Sequence, residues 1–165
     1  MSTEAQAGPA QAVADADAEL GRLEAIVAQL SDADLHRAHS DGGWTVAQCI
    51  SHINLCNVLW LGDLQRLTDD PELTFFFREE IGHDVTGYPP PTVEIAVRQL
   101  QSTRRSLTHS MPPRDEALLQ RTVEIPDLGT MTIAEWTPLI AGHLAHHVGQ
   151  AVEIMENRDF LPKGA

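Results

Sequence analysis

The chain has 165 residues, 42% of them hydrophobic and 21% charged, which suits one globular domain able to bury a core without disulfides or a structural metal. Its formal net charge of −13 repels a phosphate backbone, and the densest basic cluster, Arg98 with Arg104 and Arg105, is too thin to reverse that, so nucleic acid is excluded as a partner. No apolar run reaches membrane-spanning length, and the acidic, Ala-rich start lacks the basic region of a signal peptide, so a cytoplasmic protein away from the membrane is expected.

Residues 1–12 read as a flexible leader, 13–158 as the folded domain and 159–165 as a tail. The first helix is predicted over 13–30, with Val13, Leu20, Leu23, Ile26, Val27 and Leu30 on one apolar face. A turn through Gly42-Gly43 follows. The second helix starts at Thr45, a fitting N-cap, and runs to about Thr68. Its expected inner face carries Val46, Cys49, Ile50, Ile53, Cys56, Val58, Leu59 and Trp60. Trp44, just ahead of it, reads as a packing anchor at the bundle end.

The stretch 71–91, with Phe75, Phe76, Phe77 and Tyr88, has no clear period and reads as a long crossover, a class of loop that often carries function. The third helix is expected over 92–110, with Val93, Ala96, Val97, Leu100, Thr103 and Leu107 inward. A short helical turn near 115–120 comes next, and then a small hairpin or extended loop over 121–133, suggested by β-branched residues and Asp127–Gly129. The fourth helix is predicted over 133–157, with Thr132 as N-cap and Glu135 completing a capping box. Four long helices without a substantial sheet make an all-α four-helix bundle, and the long connection between helices two and three lets the chain cross it.

The fourth helix carries "GHLAHHVGQ", residues 142–150. At about 100° per residue, His143 and His147 lie roughly 40° apart, in the stripe of Trp136, Leu139, Ile140 and Ile154, and Gln150 falls between them. His146 sits at the stripe's edge. An i, i+4 histidine pair suits one metal ion, although core histidines bonded to a polar neighbour show the same pattern. His52, on the apolar side of helix two, is a third inward imidazole. Three neutral imidazoles leave a divalent ion an open position, as catalytic sites do. The zincin arrangement is absent, because Leu144 stands where its glutamate would be.

Cys49 and Cys56 flank His52. They are seven residues apart, roughly 10 Å along the helix axis, too far for a disulfide. They read as core packing, with a further ligand as the alternative. His36, His39, His83 and His109 fall in loops or near helix ends and read as surface residues.

The segments "GGWTVAQCISHI" and "HLAHHVGQ" together resemble the DinB/YfiT-like superfamily of bacterial metal-binding bundles, over roughly residues 15–158. The resemblance implies an up-down-down-up bundle, a homodimer, and a metal triad of His52, His143 and His147. It also implies a divalent ion, zinc or nickel ahead of manganese or iron. His146 is then an intervening non-ligand, and Gln150 a recurrent polar position. Several members of the family use a low-molecular-weight thiol in S-transfer or isomerisation. The expected function is accordingly a metal-dependent enzyme that activates such a thiol for transfer to a small electrophile. A site with no carboxylate base beside the histidines fits this, since a metal ion lowers a thiol's pKa directly. Metal-dependent hydrolysis of a small molecule is the alternative, and a non-catalytic metal- or ligand-binding stress protein the third reading.

Overall fold

The computed structural model describes residues 8–37, 43–70, 72–73, 91–125 and 129–156. Helix α1, Pro9–Val27, starts at a proline whose fixed φ suits a first helical position, and so begins ahead of the expected residue 13. It buries Val13, Ala16, Leu20, Leu23 and Val27, whose alternating three- and four-residue spacing marks one face. Helix α2, Asp32–Leu35, is a single turn within the expected connection, closed by a reciprocal Ser31–Asp34 capping box.

Helix α3, Val46–Asp69, is capped as its sequence suggests: Thr45 Oγ1 accepts from the Gln48 N–H, and Gln48 Oε1 accepts from the Thr45 N–H. Helix α4, Val93–Ser110, starts after Thr92, and the α2 turn reaches across to it, since Asp32 accepts from the Val93 N–H at 2.7 Å. His36, expected on the surface, is half-buried and donates from Nε2 to the Pro91 carbonyl at 2.7 Å. The two contacts pin the start of α4 against the α1–α3 connection.

Helix α5, Glu116–Leu119, is a single turn. Strands β1, Thr122–Ile125, and β2, Gly129–Thr132, form the expected antiparallel hairpin, with Val123 opposite Met131. Gly129 has φ of 82°, a left-handed conformation that glycine adopts without a Cβ penalty. Helix α6, Ile133–Glu156, carries the Thr132–Glu135 capping box, its two bonds at 2.8 and 3.2 Å.

Side-chain pairs give the helix directions. Asn54 pairs with Thr103 and Asn57 with Ser106, so α3 and α4 run parallel. Arg104 binds Asp17 and Glu24, while Gln101 also binds Glu24, so α1 runs against α4. His52 meets His147 and Trp60 meets His143, so α3 runs against α6. The four long helices therefore run up, down, down, up, each against two neighbours. Gly21 makes room for the α1–α4 ion pairs, because a Cβ there would stand 3.0 Å from the Arg104 guanidinium carbon.

Two residues assigned to inner faces lie outside. Val58 is 58% exposed and Leu139 42% exposed. Val58 stands two residues from Cys56 and two from Trp60, on the far side of a helix whose buried positions include both. Leu139 is likewise displaced from the line of Trp136, Ile140 and Leu144 that faces the core. The expected aromatic crossover, Phe75–Phe77 with Tyr88, lies outside the described residues, as do His39, His83 and the tail 159–165.

Candidate metal centre

Two antiparallel helices bring the three singled-out histidines together. His52 projects from the second turn of α3 and is 2% exposed. His143 and His147, one turn apart on α6, face it and are half-buried. The ring centroids of His147 and His52 are 4.3 Å apart, those of His147 and His143 4.6 Å, and those of His52 and His143 5.3 Å. His52 Nε2 lies 3.1 Å from His143 Nε2.

Aromatic walls hold the rings in place. Trp44, expected only as a packing anchor, stacks on His147 at 5.6 Å with 17° between planes, and its ring stands 5.1 Å from that of His52. Trp60 meets His143 edge to face at 5.0 Å and 85°. Both tryptophans thus belong to the surroundings of the histidines. Their sequence signal was proximity to His52: Trp60 lies two turns along the same helix, and Trp44 immediately precedes its N-cap.

Gln150 has a defined role. Its Oε1 accepts from His147 Nδ1 at 2.9 Å, which puts the proton on Nδ1 and makes Nε2 the lone-pair nitrogen. Such partners orient metal-binding histidines and fix their tautomer. His146 is exposed, its ring 5.1 Å from that of His147.

Electrostatics favour neutral imidazole. The pKa of His143 is pushed down to about 4, first by burial and then by the charges His147 and His146 would carry. His143 is therefore a neutral imidazole at neutral pH. Cys56 and Cys49 are both buried, and burial pushes their thiols up to about 11 and about 12. Cys56 Sγ lies in contact with the His52 ring, 3.4 Å from its Nε2. Donor atoms of His52, Cys56 and His143 all lie within 4.8 Å of one another, and among the described residues no carboxylate joins such a group.

The donor set fits a divalent ion. Two nitrogens at about 2.0–2.1 Å from one ion stand about 2.9 Å apart at a right angle and about 3.3 Å apart at the tetrahedral angle. The observed 3.1 Å falls in that interval. In the ion-free protein the same distance suits an N–H···N hydrogen bond, one ring donating and the other accepting.

Comparison with known proteins agrees with the architecture. The family model described as the DinB superfamily matches residues 16–151. A protein of Halalkalibacterium halodurans, named as a candidate metal-dependent hydrolase, is 26% identical over 77% of this chain and 74% of its own length. One of Oceanobacillus iheyensis with the same kind of name is 25% identical over 84% of this chain and 80% of its own. YfiT from Bacillus subtilis, described as a probable metal-dependent hydrolase with an unusual four-helix bundle topology, superimposes with a TM-score of 0.66. That superposition covers 96% of this chain and 90% of YfiT at 18% identity, and it establishes the fold.

Proposed function

We propose, for a chain that belongs to the DinB superfamily, metal-dependent hydrolysis of a small molecule at His52, His143 and His147. The observation that carries this reading is the convergence of three imidazoles from two helices, with two Nε2 atoms 3.1 Å apart and a third ring oriented by Gln150. The names of the two bacterial relatives support hydrolysis over the thiol transfer expected from the sequence. A divalent ion held there, zinc or nickel first, would polarise a bound substrate and make a nucleophile available at neutral pH.

The chain's own groups prepare the site. Burial keeps His143 neutral, and Gln150 holds the Nδ1 proton of His147. Trp44 and Trp60 lower the local dielectric and fix the ring planes. Three protein nitrogens leave an ion coordination positions for substrate and solvent.

Thiol S-transfer stands as a second reading because the donor group contains no carboxylate among the described residues. A metal ion activates a thiol without such a base. The test follows product formation from ester, amide and electrophile panels, with and without added low-molecular-weight thiol. Thiol-independent turnover lost on chelation supports the hydrolase. Turnover only with thiol replaces it by the transferase, and tight metal binding with no turnover replaces both by a binding protein.

A further inference from the structure

The two helices that carry the histidines present matched pairs of donors. His52 and Cys56 on α3 are four residues apart, as are His143 and His147 on α6, so each pair lies on one helix face. Cys56 is 3% exposed, and its sulfur stands 3.4 Å from His52 Nε2 and 3.8 Å from Nδ1. Its donor atom, with those of His52 and His143, falls within a 4.8 Å group. Cys49 is buried on the same helix, and among the described residues no hydrogen bond joins it to a histidine.

The sulfur is within reach of a shared ion. An ion about 2.0–2.1 Å from nitrogen and about 2.3 Å from sulfur sets the two donors about 3.1 Å apart at a right angle and about 3.6 Å apart at the tetrahedral angle. The observed 3.4 Å puts the sulfur within a side-chain rotation of such a position. Because the sulfur is nearly as close to Nδ1 as to Nε2, it stands over the ring face of His52. Joining the ion takes a turn about the short Cys56 Cα–Cβ bond, and the reverse turn frees that position for substrate.

We infer that Cys56 is a fourth, displaceable protein donor to the ion held by His52, His143 and His147. The inference rests on the histidine site proposed above. Coordination replaces the S–H proton, which leaves to solvent, so the sulfur binds as thiolate. Three imidazoles with one thiolate direct the site toward zinc, cobalt or nickel and away from magnesium or manganese.

Cobalt(II) loading of the full chain tests this by absorption spectroscopy, independent of any activity. The expected result is about one cobalt per chain, with a thiolate-to-cobalt charge-transfer band in the near ultraviolet. Cys49→Ser keeps the band, and Cys56→Ser loses it while retaining helical circular dichroism. One cobalt per wild-type chain without the band overturns the sulfur donor and leaves the histidine site standing, whatever the variant's folding. A band lost in Cys49→Ser and kept in Cys56→Ser also overturns it. Failure of the wild type to bind cobalt overturns both the donor and the histidine site.

Discussion

Replacing Gln150 by alanine separates a metal site from a cluster of core histidines. The bond it removes is 2.9 Å long, runs from His147 Nδ1 to Gln150 Oε1, and is made by a half-buried side chain. A neutral hydrogen bond of this kind contributes about 1 kcal/mol net. Its loss also lets the proton move to Nε2, the nitrogen needed for the ion. Outer partners of metal-bound histidines are typically worth about 10–100-fold in metal affinity. The partial exposure here places Gln150→Ala near the lower end, about tenfold weaker zinc binding, or about 1.4 kcal/mol. Competition against a chromophoric chelator measures this directly. Gln150→Glu keeps an acceptor and should bind zinc at least as tightly as the wild type. The free energy of unfolding of the zinc-free Gln150→Ala protein should fall by no more than about 1 kcal/mol. Zinc affinity unchanged in Gln150→Ala would refute the assigned tautomer and the part it plays.

Two further perturbations test the surroundings. His143 is held at about 4 against an ordinary 6.5, so between those values the unfolded chain binds a proton that the folded chain refuses. The metal-free protein should therefore lose stability as pH falls from 6.5 toward 4, and His143→Gln should flatten that part of the profile in urea titrations. Arg104 joins α4 to Asp17 and Glu24 of α1 through bonds of 2.8 and 2.9 Å, with 34% of its side chain exposed. Arg104→Ala should cost about 1 kcal/mol, a melting shift of roughly 2–4 °C, and the difference from wild type should shrink in high salt.

The bundle was legible because its signals are local. Thr45 with Gln48 and Thr132 with Glu135 are capping boxes, and the structure starts helices at both. The hairpin around Gly129 follows from β-branched residues on either side of a turn. The convergence of His52 with His143 and His147 was legible for a similar reason, since each points along an apolar stripe that must face another helix. Periodicity failed where a stripe was drawn too wide, at Val58 and Leu139, because an apolar residue beside the core line looks the same in sequence as one within it.

Contacts between elements distant in sequence were not legible. The hydrogen bond from His36 to the Pro91 carbonyl spans 55 residues and has no pattern to announce it. The stacking of Trp44 on His147 depends on how the end of α3 meets α6. The approach of Cys56 to His52 was half visible: the four-residue spacing put them on one face, but a small buried hydrophobe explains the same spacing.

The most direct measurement is elemental analysis of the full chain, purified without an affinity tag or chelator, beside its His52→Ala variant. His52 is 2% exposed and faces both α6 histidines, so its removal takes one nitrogen from the site and leaves the rest of the core in place. A metal centre at these histidines should give close to one divalent ion per wild-type chain and almost none in the variant, with helical circular dichroism retained in both. Full metal occupancy in the His52→Ala variant, or no metal in either protein after incubation with zinc, nickel and manganese, would contradict it.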